Sequence, residues 1–262
     1  MHEAQSDRPS SRAGGSAVRR NARHAGSVLL FEAHPNLSGI PDILANLSPS
    51  ERRAVFDAGH QIAFDRGDWL FRQGEPHQGI FVLCDGIVRS FYVSPQGREI
   101  TLAYWKPGNF VGGPEIFGSG VHVWSGVATE PGEALRLPGA NVQRLISAIP
   151  NFAIGLIHGL AFKGKCYSSL LQMLGTRSVL ERLAQLLCNI ADARGTEMAG
   201  SIAIRDPPTH EELAAMVGAT RQWVSITIER FRSQGLIAAG RRPLVVLRPA
   251  SLHALASGNA TL

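Results

Sequence analysis

Between Thr209 and Ile237 the residue pattern admits one compact unit, two short helices hinged on a single glycine. Pro207 and Pro208 end the preceding segment, and Thr209 with Glu212 three residues on forms a capping box that starts the first helix. Leu213, Met216 and Val217 give that helix an apolar face of helical period, and Ala214 is small where a second helix must cross. Gly218 supplies the positive φ of a sharp turn. Thr220 caps the second helix, with Val224, Ile228 and Phe231 facing inward. Arg221, Gln222, Trp223 and Ser225 take the other face of its first turns, where donors and acceptors meet base edges. Gly240-Arg241-Arg242-Pro243 and the run Leu244–Leu247 follow as a basic turn and strand, placing Arg241 and Arg242 to neutralise phosphate. The whole reads as a winged helix-turn-helix, and the partner it implies is double-stranded DNA.

Charge is distributed in the same sense. The net charge is +5, with five Arg against two acids in residues 1–24 and seven Arg against four acids in residues 200–262. Positive charge thus gathers on a tail and on the helix-turn-helix, as counterion release favours. Residues 1–25, rich in Ser, Arg and Gly, are expected to be a disordered basic tail without the apolar run of a secretory signal. No stretch approaches the roughly 18 apolar residues of a membrane span. Cys84, Cys166 and Cys188 are scattered thiols without metal-ligand spacing, which suits a reducing cytoplasm.

From about residue 50 to 138, turn signals recur every 8–12 residues: Arg66-Gly67-Asp68, Gln73-Gly74-Glu75-Pro76, Asp85-Gly86, Ser94-Pro95-Gln96-Gly97 and Lys106-Pro107-Gly108. Between them lie strand-like runs such as Gly79–Cys84 and Ile100–Trp105, which predicts a closed or two-sheet β structure. A long helix follows, with Ile149, Ala153, Leu156, Leu160, Lys163, Tyr167, Leu170 and Leu174 in steps of three and four. That spacing predicts a parallel dimer seam on Leu156, Leu160, Tyr167, Leu170 and Leu174, hence a homodimer and a palindromic operator. A second helix, Val179–Ala193, is amphipathic. The expected domains are the tail 1–25, a β-roll sensor 26–148, a dimerisation helix 149–176, the winged helix 177–250 and a C-terminal tail 251–262.

This order, an α+β chain of β-roll, long helix and winged helix-turn-helix, resembles the Crp–Fnr family of bacterial transcription regulators. Leu70-Phe71-Arg72-Gln73-Gly74-Glu75-Pro76, Cys84-Asp85-Gly86-Ile87-Val88, Trp105–Gly112 and Leu180–Leu187 stand in the family's order, over roughly residues 50–250. The resemblance implies a cytoplasmic homodimer with a cyclic-nucleotide-binding-like jelly roll. That roll senses a ligand and signals through the long helix to the DNA module, with RNA polymerase as a partner if the protein activates.

The departures from the family pattern are specific. Its cyclic-nucleotide sensors carry Phe-x-Gly-Glu and then Arg-Ser or Arg-Thr; here stand Phe110-Val111-Gly112-Gly113 and Val123-Trp124, with no Lys or Arg between Lys106 and Arg136. A buried phosphate without a counter-charge costs several kcal/mol, so the expected effector is a small molecule other than cyclic AMP. The candidate pocket is Gly112, Gly113, His122, Trp124, Ser125, Tyr167 and Ser168. Alternatively the pocket is filled by Trp124, giving an effector-independent regulator. The iron–sulfur cysteines and haem ligands of other branches have no counterpart, so no cofactor or metal is expected. A cupin-like metal enzyme would need clustered His and Glu ligands that His122 lacks, and no catalytic constellation is found. In the second helix of the DNA module the family's usual Glu is Gln222 and its further Arg is Ile226, which implies an altered operator.

Overall fold

Ser48 opens the first helix of the computed structural model, which describes residues 41–238 and 243–259. The expected tail 1–25 and the wing residues Gly240, Arg241 and Arg242 lie outside the described residues. Ser48 and Glu51 form a reciprocal capping box on helix α1 (Pro49–Asp57). Strands β1 (His60–Phe64), β2 (Trp69–Phe71), β3 (Gly79–Leu83), β4 (Ile87–Val93), β5 (Glu99–Trp105), β6 (Phe110–Val111), β7 (Ser125–Glu130) and β8 (Gly132–Pro138) then build the sensor. They pair antiparallel in two four-stranded sheets, β1-β8-β3-β6 and β2-β7-β4-β5. The turn glycines Gly67, Gly74, Gly86, Gly97 and Gly108 all have positive φ, which is why turn signals at those places marked strand ends correctly.

Strand alternation gives the roll two cores. Inward-facing Phe64, Phe71, Phe81, Val88, Ala103, Trp105 and Ala134 fill the space between the sheets. Ile80, Val82, Leu135 and Leu137, on the outer face of the first sheet, are covered by α2 (Gly139–Ala148) and the start of α3 (Pro150–Thr176) through Val142, Phe152 and Leu156. Each such fully buried Phe or Leu stabilises by about 1.5–3 kcal/mol. At Gly155 a Cβ would stand 2.2 Å from the Ile43 carbonyl oxygen, so only glycine lets α3 lie this close.

The α3 face expected to be a dimer seam is therefore an intramolecular one. Leu156 is 1% and Leu170 5% exposed, Leu160 packs against the outer core, and Tyr167 and Leu174 pack against the inner one. Lys163, expected near the edge of the seam, is buried as well. Heptad spacing was present because a helix lying on a sheet obeys the same period as one lying on a partner helix.

The DNA module comprises α4 (Val179–Arg194), the hairpin β9 (Thr196–Met198) and β10 (Ser201–Ile204), α5 (His210–Val217), α6 (Arg221–Ser233), β11 (Leu244–Val246) and α7 (Pro249–Ala256). The strands form a sheet in the order β11-β10-β9. Residues from 251, expected as a tail, instead continue α7, whose Leu252, Leu255 and Ala256 are buried in a helix packed on α4. Pro249 at the first turn starts this helix. Helix α5 rests on β5, so the module leans on the sensor of its own chain. There burial pushes the Tyr104 hydroxyl up to about 12, beside Glu212.

Candidate nucleic-acid interface and sensor cavity

The helix-turn-helix is built as its sequence requires. Thr209 and Glu212 make the reciprocal capping box, and Gly218 ends α5 in the left-handed conformation at φ 66°. The Thr220 hydroxyl accepts from the Trp223 amide at 3.2 Å. Val224, Ile228 and Phe231 are fully buried, fixing the roll angle of α6. Arg221 and Gln222 consequently face solvent, together with Ile226, which is 56% exposed. Two residues expected on that face are drawn inward. Trp223 packs against the core, and the Ser225 hydroxyl is 2.8 Å from His210 Nδ1 on α5 while donating to the Arg221 carbonyl. The Ser225 contact ties the two helices together and leaves less of the side chain for DNA.

In the sensor, Gly112 and Gly113 adopt φ 133° and 146°, which side chains rarely tolerate. His122 is buried, its Nδ1 donating to the Gly112 carbonyl at 2.6 Å. His77, also buried, lies beside it with ring centroids 4.4 Å apart, and neither of its ring nitrogens makes a hydrogen bond of good geometry. Burial pushes both imidazoles below their ordinary value, and the proximity of His77 depresses His122 further. The pair is thus neutral at neutral pH. The two histidines stand 45 positions apart along the chain, so no local motif pairs them.

Toward α3 the roll is occupied by its own aromatics. Trp124 and Trp105 meet Tyr167 edge-on at centroid distances of 5.6 and 6.3 Å, and the Trp105 indole donates to Ser90 at 2.8 Å. The Ser125 hydroxyl accepts from the Gln73 amide. Ser168, expected in this pocket, points to solvent from the opposite side of α3.

The open space lies elsewhere. A half-open cavity of about 660 Å³ at the β1–β2 end of the roll is lined by Trp69, Phe71, Phe81, Gln78, His122 and Arg136, among others. Arg136 reaches it because β8 pairs it with Phe81 on one side and His60 on the other, on the inner face of the sheet. Nothing in the sequence around Arg136 marked it; only strand register reveals its direction. Among the described residues no group of three or more His, Cys, Asp or Glu is arranged to hold a metal ion, and no helix is long and apolar enough to cross a membrane.

Comparison with known proteins gives two family matches, a cyclic nucleotide-binding domain over residues 61–148 and a Crp-like helix-turn-helix domain over residues 181–255. The chain is 28% identical over 222 residues to the cyclic AMP receptor protein of Thermus thermophilus, covering 85% of this chain and 99% of that one. It is 27% identical over 195 residues to a CRP-like cAMP-activated global transcriptional regulator of Mycobacterium tuberculosis, covering 74% and 87%. A solved structure of a CooA mutant from Carboxydothermus hydrogenoformans shares the fold at a TM-score of 0.64 and 19% identity, covering 87% of this chain and 98% of that one.

Proposed function

The chain belongs to the Crp–Fnr family of transcription regulators, and from that premise we propose that it is a homodimeric, sequence-specific DNA-binding regulator whose β-roll senses a small molecule other than cyclic AMP. The observation that carries the DNA reading is the solvent face of α6. Arg221 and Gln222 project from a capped, buried-side-locked helix at its N-terminal end, the end that enters a major groove. Arginine pairs bidentately with guanine and glutamine with adenine. Thr209 and Thr220 cap the N-termini of α5 and α6, where helix ends favour a backbone phosphate, and Arg241 and Arg242 of the sequence would add counter-charge.

The dimer reading moves to a different stripe of α3. Ile154, Ile157, Ala161, Gly164, Ser168, Leu171 and Gly175 follow each other in steps of three and four and all face solvent. Ile154, Ile157 and Leu171 are 46%, 61% and 72% exposed. A second copy of α3 would cover them, with Ala161, Gly164 and Gly175 allowing close approach. Such a dimer presents two α6 helices to half-sites about one helical turn apart.

The two relatives named above carry cyclic AMP in their names, and the residues here support a different effector. Gly113 offers no carboxylate to a ribose, and the space next to α3 is filled by Trp105, Trp124 and Tyr167. That filling also favours a second reading, regulation without an effector, which the cavity at the other end of the roll opposes. A gel shift of the full chain on its own promoter DNA tests the main reading, with metal analysis of the same sample for the cupin-like alternative. A specific complex, weakened and less selective in Arg221→Ala, is expected. Equal retention of specific and random DNA by the unaltered protein would overturn the reading.

A further inference from the structure

Four rings stand in a row through the open end of the β-roll. His77 and His122 are 4.4 Å apart by centroids, His122 and Phe71 4.6 Å, and Phe71 and Phe81 6.1 Å, the last pair inclined by only 18°. At the end of the row the Arg136 guanidinium lies 6.0 Å from the Phe81 centroid. The outer three rings and Arg136 line the 660 Å³ cavity, a size ordinary for small-ligand sites.

Arg136 is the one cation among the described residues lining this cavity, and its side chain donates a hydrogen bond to the Gln78 side-chain oxygen. No carboxylate pairs with it among the described residues. One guanidinium nitrogen is thus engaged by an amide oxygen, which leaves the remaining N–H groups and the Gln78 amide N–H as donors. A charged group with donors to spare, above an aromatic wall, matches a ligand carrying a planar, two-oxygen anion on an aromatic body. The rim limits the charge of that ligand. Asp68 and Glu75 also line the cavity, so each added negative charge on the ligand meets more repulsion, and a monoanion is favoured over a dianionic phosphate.

We propose that this cavity is a binding site for a small aromatic monocarboxylate, held by Arg136 and Gln78 at its carboxylate and by Phe71, Phe81 and His122 along its ring. It lies apart from the Trp105–Trp124–Tyr167 cluster under α3. The site rests on the reading of the β-roll as a sensor, and one hydrogen bond links it to the loop after β6. The ring of His122 holds the Gly112 carbonyl, two residues beyond Phe110, which stands against Gly159 and Lys163 of α3. A ligand pressed on His122 therefore bears on the loop after β6, the strand whose Phe110 packs against the long helix.

Calorimetric titration of the full chain, without DNA, with phenylacetate and with its neutral isostere phenylacetamide tests the site. Saturable binding of phenylacetate is expected, with the amide at least ten-fold weaker. Arg136→Gln, a change at an exposed side chain, should abolish the preference, whereas Arg136→Lys should keep part of it. Absence of saturable heat for phenylacetate and for the larger indole-3-acetate at millimolar concentration would overturn the proposal. So would equal binding of acid and amide, a comparison made on the unaltered protein and so independent of how any variant folds. The gel shift is untouched by either result, so failure of this site and failure of the DNA reading are separate outcomes.

Discussion

The side-chain nitrogen of Lys163 lies 3.3 Å from the centre of the Trp105 ring and 4.8 Å from that of Phe110, with no carboxylate paired to it among the described residues. A cation held over aromatic faces is attracted by their quadrupoles, but the ring attraction is worth only about 2 kcal/mol even when desolvated. Burial dominates and lowers the lysine to about 7, with the Cys166 thiol the other ionisable group acting on it.

A pH dependence of stability follows. The unfolded lysine titrates near 10.4, so between pH 7 and 9 the unfolded state holds a proton that the folded state gives up. Stability therefore rises with pH through that window, by at most about 1.4 kcal/mol per pH unit. Above pH 9 the buried thiols Cys166 and Cys188, pushed up to about 11 and about 12, act in the opposite sense. Lys163→Met should flatten the pH 7–9 rise in urea unfolding, leaving Lys106, which is also lowered by burial, in place. A variant with the same slope as the parent would assign the rise to another group.

The two faces of α3 make opposite predictions for similar substitutions. Ile157→Arg, on the solvent-facing stripe, should yield folded monomers by light scattering and lose binding to a two-half-site operator. Leu156→Arg would bury a charge in the outer core and should cost about 3–5 kcal/mol of stability before any effect on assembly. A dimeric Ile157→Arg protein would exclude the stripe as the contact.

These two faces also mark how far the sequence could be read. The capping residues Thr209 and Thr220, the αL glycine Gly218 and the inward row Val224, Ile228 and Phe231 were legible because each acts on its own neighbours. The β-roll was legible from positive-φ turn glycines. Which face of α3 meets the sheet was not, since two adjacent heptad stripes differ only in what lies opposite. Arg136 and His77 were missed for a related reason: Arg136 meets Phe81 through strand register, and His77 meets His122 beside the isolated bridge of Pro76 to Val121.

Readout by α6 is expected to divide between polar and apolar contacts. Arg221→Ala should cost about 1–3 kcal/mol on the specific site and relax base preference at one position per half-site. Exposed Ile226 is suited to a thymine methyl group. Replacing the contacted thymine by deoxyuridine should then weaken binding by roughly 0.8 kcal/mol, about four-fold, and Ile226→Ala should erase that difference. An operator insensitive to every thymine-to-deoxyuridine exchange would remove Ile226 from the readout.

Cyclic AMP should give no saturable heat at millimolar concentration, and restoring the missing carboxylate should not rescue it. Gly113 sits at φ 146°, and a Cβ there would approach His77 Nε2 to 3.1 Å. Gly113→Glu therefore strains the loop and presses on the histidine pair, so the expected result is lower thermal stability with no gain of nucleotide binding. Trp124→Ala, by contrast, opens space beside Tyr167 at a half-buried position and should leave the fold intact. Because Tyr167 belongs to α3, loss of that contact should change DNA affinity or its response to effector. Micromolar cyclic AMP binding by the parent protein, or unchanged regulation by Trp124→Ala in cells, would contradict this account of the roll.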